Sequence, residues 1–132
     1  MFKRALFLGV TAGVLSGLAS TIYAEVFYWA NAYYVDFSSF VTTSMFFGAS
    51  IFACILASVG FWLADKLLAK TGRIIFNFIF TLFSFVSILG AFSATLPLDL
   101  EFPEMFPSLV VPMHFFPALI WFTLQPVFIK SE

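Results

Sequence analysis

The sequence predicts an all-helical (all-α) integral membrane protein: a four-transmembrane-helix antiparallel bundle in one domain, with both termini cytoplasmic. Three observations carry that prediction. Hydrophobic residues fill 62% of the 132 positions and charged residues only 10%, against about 45–50% and about 25% in soluble domains. The charges gather in a few short stretches and leave four uncharged runs, each close to one bilayer crossing in length. All six basic residues fall where an even number of crossings puts them on one side. A net charge of −1 provides no basic field for nucleic acid. The single cysteine, Cys54, excludes an internal disulfide and any multi-cysteine metal or redox site.

The first uncharged run extends from Ala5 to Ala24, behind Lys3 and Arg4. Its basic start and apolar middle have the outline of a signal peptide. Ile22, three positions before a cut after Ala24, fits the small-residue preference of cleavage poorly, so the segment is expected to be the first membrane helix, about 4–30. Ala5, Gly9, Gly13 and Gly17 recur every four residues along it. Small residues at that spacing let a second backbone approach closely, and packing inside the bundle is favoured over homodimerisation through this face. The second run, Phe37 to Ala64, predicts a helix at about 40–64, with Ala49, Ala53, Gly60 and Ala64 as the expected surface receiving the glycines.

A polar turn from Asp65 to Arg73 precedes a third helix, about 74–96. Asn77, Thr81, Ser84, Ala91 and Thr95 lie within about 40° of one line on that helix and are expected to face inward, because polar groups facing lipid are costly. An acidic loop containing Asp99, Glu101 and Glu104 leads to a fourth helix, about 107–129. There His114, Ala118, Trp121 and Gln125 share a face, and Pro112, Pro117 and Pro126 interrupt the backbone. Each internal proline removes a donor and frees the carbonyl four residues back.

Lys3, Arg4, Lys66, Lys70, Arg73 and Lys130 all fall at the N-terminus, the second connection or the C-terminus. By the positive-inside rule those places are cytoplasmic. Glu25 and His114 are then the candidate titratable groups of the outer half. With Ser84, Thr95, Trp121 and Gln125 they form the expected ligand-binding set, around a small cavity that has His114 in its wall. Gly9, Gly13, Gly17 and Gly60 are the expected packing positions. One histidine and one cysteine provide neither a zinc site of ordinary composition nor a bis-histidine haem. Neither a P-loop nor a nucleophile elbow is present. No catalytic residue, metal or cofactor is therefore expected.

Tyr23–Ala24–Glu25–Val26 resembles the first-helix glutamate region of small multidrug-resistance exporters, although the long acidic loop is unlike theirs. A fuller likeness combines several features. They are the glycine-rich first helix, the basic turn before the third span, Leu96–Pro97–Leu98–Asp99, and Val111–Pro112–Met113–His114–Phe115–Phe116–Pro117. In these the chain resembles a family of small bacterial four-helix membrane proteins, particularly Bacteroidetes-type members. Where many members carry an asparagine deep in the first helix, this chain has Tyr23 and Glu25. The resemblance implies an inner-membrane bundle and no reaction.

The expected function is a non-enzymatic inner-membrane protein, either a binder of a lipid-like ligand or a subunit of a larger or homo-oligomeric membrane assembly. Its partners would be the bilayer and that ligand. A proton-coupled carrier using Glu25 and His114, or an enzyme acting on a lipid or isoprenoid, are the alternatives. Reporter fusions test the topology. Fusions at the C-terminus and in the 65–73 turn should report cytoplasm and one at Glu101 the outside, and an external C-terminus would overturn the reading.

Overall fold

The computed structural model describes residues 1–129, so Lys130 lies outside the described residues. Every regular element among them is helical. Helix α1 spans Phe2–Ala30, α2 spans Thr43–Ser93, a 3-10 turn covers Pro103–Met105, and α3 (Phe106–Met113) and α4 (Phe116–Phe128) follow. Three helical stretches are long and apolar enough to cross a membrane: Phe2–Ala30, Thr43–Ser93 and the interrupted Pro103–Phe128.

The sequence predicts four helices, with the middle two separated by a polar turn. The run Thr43–Ser93 is in fact two helices joined without a polar loop, because only Ala69, at φ 48° and ψ −133°, leaves helical geometry. Leu67, Leu68 and Lys70 are good helix formers, so helical hydrogen bonding continues up to the break on both sides. The element is nevertheless folded back on itself. Residues 61 and 76 would stand about 22 Å apart in a straight helix, yet the Phe61 and Phe76 rings meet at 5.5 Å. Arg73 Nε donates to Asp65 Oδ1 at 2.5 Å across the reversal. A Cβ on Gly72 would run into the Ala64 carbonyl. The two arms, 43–68 and 70–93, therefore lie against each other.

Helix α1 packs along the first arm with its numbering reversed. A Cβ added to Gly9 would lie 2.5 Å from the Cys54 carbonyl oxygen, one on Gly13 2.6 Å from Ile51 Cα, and one on Gly17 2.5 Å from the Phe47 ring. The surface that meets the glycines is thus Phe47, Ile51, Cys54 and Ser58. Gly60 lies under the Phe76 ring instead, while Ala49 and Ala53 border a cleft. Both surfaces have helical spacing; the position of the second arm determines which of them α1 receives.

Helix α1 ends when Ala32 and Tyr33 enter left-handed geometry (φ 50° and 58°). Ala32 N then donates to Trp29 O and Tyr33 N to Tyr28 O, which is the paired bonding of a Schellman ending. Helix α2 starts at Thr43 rather than near residue 40. Ser38 N donates to Asp36 Oδ1 in a local turn, Phe37 is fully buried against Phe106, and the Thr42 hydroxyl caps α2 by accepting from Met45 N. Bonds from the Ser38 hydroxyl and amide hold the Asp36 carboxyl below its ordinary value. The third predicted helix ends at Ser93, so Thr95 stands outside it and is exposed. The fourth is divided between α3 and α4 at His114 and Phe115.

Two cores occupy the two ends of the molecule. One gathers Leu8, Cys54, Phe61 and Trp121, with Phe76 and Phe80 packed against them. The other gathers Phe27, Phe37, Phe46, Phe106 and Leu109. Phe2 stacks edge-on against Trp62, and Lys66 Nζ lies 5.2 Å from that indole. The start of α1 and the reversal of α2, which together carry Lys3, Arg4, Lys66, Lys70 and Arg73, therefore share one end. Along the second arm Phe78, Phe83, Leu89 and Phe92 are all exposed.

Ala69 holds an angle pair that glycine adopts without strain, at a cost of roughly 1–3 kcal/mol for other residues. Ala69→Gly should therefore raise stability in detergent by about 1 kcal/mol. Gly72→Ala should lower it by at least about 1–3 kcal/mol through overpacking against Ala64. Thermal unfolding of the two variants checks both signs.

Candidate functional site

Between the two cores the helices leave a cleft of about 370 Å³. Its size follows from small side chains: Ala49, Ala53 and Ser50 on the first arm and Ser20 on α1 leave space that larger residues would fill. The second arm contributes Phe80, Ser84 and Ser87, and the broken fourth stretch contributes Met113, His114 and Pro117. Among the described residues no charged side chain lines it.

The break at His114 has a local cause. Pro117 sits in the first turn of α4, where its missing amide is tolerated, so α3 ends before it and a new helix begins. As α3 ends, His114 N turns to the carbonyl of Val111 at 3.2 Å instead of that of Val110. The Val110 carbonyl is then satisfied by the histidine ring, with Nδ1 at 2.8 Å. A carbonyl can only accept, so Nδ1 carries the hydrogen, and in the neutral ring Nε2 is an acceptor.

Pro112 has a matching consequence. It removes the amide that would bond the Ser108 carbonyl, and the Tyr23 hydroxyl of α1 donates to that oxygen at 2.7 Å. A carbonyl released by one helix is thus recovered by another, and the bond fixes α1 against α3. Within the third predicted helix, Thr81 bonds back to Asn77 O, Ser84 to Phe80 O and Ser87 to Ser84 O. These hydroxyl hydrogens are committed to their own helix.

The residues singled out from sequence distribute over several places. His114 and Ser84 border the 370 Å³ cleft together. Glu25 is exposed and borders a separate cleft of about 260 Å³ with Thr21, Ser38 and Thr42; Phe46 and Val41 line both. Trp121 is fully buried among Phe61, Phe76 and Phe80, with ring centroids 5.8–5.9 Å away and its Nε1 without a partner among the described residues. Gln125 accepts from Asn77 Nδ2 at 2.9 Å, at a third cleft near the reversal that also holds Lys70 and Arg73. Thr95 reaches none of these clefts. Sequence reasoning missed Ser20, Ser50 and Ser87. Ser50 and Ser87 lie on helices whose inward faces were anticipated, but no spacing rule places the three together.

Among the described residues no group of three histidine, cysteine or acidic side chains is arranged to hold a metal ion. No protein family, curated protein or solved structure matches the chain.

Tyr23→Phe leaves the Ser108 carbonyl without its donor and should cost about 0.5–1.5 kcal/mol. Pro112→Ala restores a backbone amide four residues on, so the same Tyr23 change should cost less in that background. A double-mutant cycle by thermal unfolding measures the difference. Equal costs would mean that the hydroxyl does not serve that carbonyl.

Proposed function

We propose that the protein is a non-enzymatic integral membrane protein that crosses the bilayer four times and holds a lipid-like molecule in the cleft beside His114. In this reading each arm of α2 is a separate crossing, about 39 Å and about 36 Å long, against a hydrocarbon core of about 30 Å. The shared end carrying Lys3, Arg4, Lys66, Lys70 and Arg73 is cytoplasmic by the positive-inside rule. The bacterial inner membrane follows from the family resemblance alone.

The observation that carries the reading is the cleft itself. About 370 Å³ of mainly apolar space with a few convergent polar groups is the composition of a small-molecule site. A carrier coupling Glu25 to His114 is less well supported, because the two residues border different clefts. An enzyme acting on a lipid would need a second acid or base beside His114, and among the described residues none lines that cleft. The exposed Phe78, Phe83, Leu89 and Phe92 suit lipid contact and equally suit a subunit interface.

Lipid extraction and mass spectrometry of the full chain, purified in mild detergent, test the reading. One lipid species should be enriched at least several-fold over the bulk membrane, and Ala49→Phe with Ala53→Phe should remove the enrichment. An extract of bulk composition from the wild-type chain would overturn it.

A further inference from the structure

We infer that the cleft selects a neutral amphiphile whose head donates a hydrogen bond, an alcohol on an apolar chain, and that His114 Nε2 accepts that bond; this rests on the cleft being a ligand site. Three features of the lining lead there. First, among the described residues it contains no lysine, arginine, aspartate or glutamate. A phosphate, carboxylate or ammonium head would enter without a counter-charge, and burying an unpaired charge is far more costly than burying a hydroxyl.

Second, three of the five polar side chains in the lining present acceptors. The Ser84 hydroxyl donates to Phe80 O at 3.1 Å and the Ser87 hydroxyl to Ser84 O at 2.8 Å, so each presents lone pairs with its hydrogen already used. His114 Nδ1 is committed to Val110 O at 2.8 Å, which leaves the opposite ring nitrogen as an acceptor. A ligand that only accepts, such as an ether or ester, would leave these three acceptors unmet; one that also donates can complete His114 Nε2.

Third, the histidine is fixed in orientation. The ring is tied to a carbonyl whose amide partner was lost at the α3–α4 break, so it is held by the same distortion that Pro117 introduces. Nε2 has no hydrogen-bond partner among the described residues, and it is not among their sealed, unpartnered polar atoms. It is therefore not sealed, and His114 lines the cleft. Ser20 and Ser50 on the facing wall can bond the alcohol oxygen, which also has lone pairs to be met.

The test uses the full chain in nanodiscs and three probes that share one isoprenoid chain: farnesol, farnesyl methyl ether and farnesyl phosphate. Competition against tritiated farnesol should rank the alcohol at least tenfold above both others, a difference of about 1.4 kcal/mol. His114→Phe should bring alcohol and ether to within about twofold while the protein remains monodisperse. Ala53→Phe should abolish binding of every probe. Equal binding of all three by the wild-type chain would overturn the head-group inference and leave the cleft reading in place, as would an unchanged alcohol preference in His114→Phe. Saturable binding of no probe, or binding unaffected by Ala53→Phe, would overturn the cleft reading itself.

Discussion

Inside a hydrocarbon layer no water is available to bond a stray carbonyl, and an unsatisfied backbone group there costs several kcal/mol. The broken fourth predicted helix makes this constraint acute, because Pro112 frees one oxygen and the end of α3 frees another. The Ser108 carbonyl finds the Tyr23 hydroxyl on another helix, and the Val110 carbonyl finds the ring of His114 on its own. The first solution fixes the approach of α1 to α3. The second fixes the tautomer and position of the only histidine. Several hydroxyls elsewhere take a simpler course and bond the carbonyl four residues back, as Ser16, Thr21, Ser58 and Thr123 do.

Close backbone approach provides the rest of the scaffold. With little hydrophobic drive between helices in lipid, association depends on van der Waals contact, which small residues permit. Gly9, Gly13 and Gly17 bring α1 onto the first arm of α2, and Gly72 brings the second arm onto the first at Ala64. The same smallness at Ala49, Ala53 and Ser50, where no helix closes in, becomes the cleft rather than a contact. Whether a small residue makes a seam or a cavity depends on what lies opposite it.

The reversal at Ala69 links these features. Because the chain turns through one non-helical residue, the arms stay in register from the turn outward, with Asp65 on Arg73, Gly60 beneath Phe76 and Phe61 against Phe76. That register brings Phe76 and Phe80 onto Trp121 at one end and carries Ser84 and Ser87 to the cleft beside His114.

Composition and charge position were enough to determine the helical class, the apolar stretches and the gathering of basic residues, because these depend on transfer from water to hydrocarbon, which acts residue by residue. Local periodicity likewise identified the glycine face of α1 and the inward side of Ser84. What the sequence could not fix was which faces meet. The spacing of Ala49, Ala53, Gly60 and Ala64 is as suitable for receiving α1 as that of Phe47, Ile51, Cys54 and Ser58, and the choice was made by the second arm. The sequence predicts a polar loop at 65–73, where neighbouring helix formers let the two helices run up to a single strained alanine. Glu25 and His114 share the outer half by their order in the sequence, yet they border different clefts. Depth follows from the linear order of residues, whereas rotation and register depend on contacts between segments distant in sequence, so only the tertiary structure could decide them.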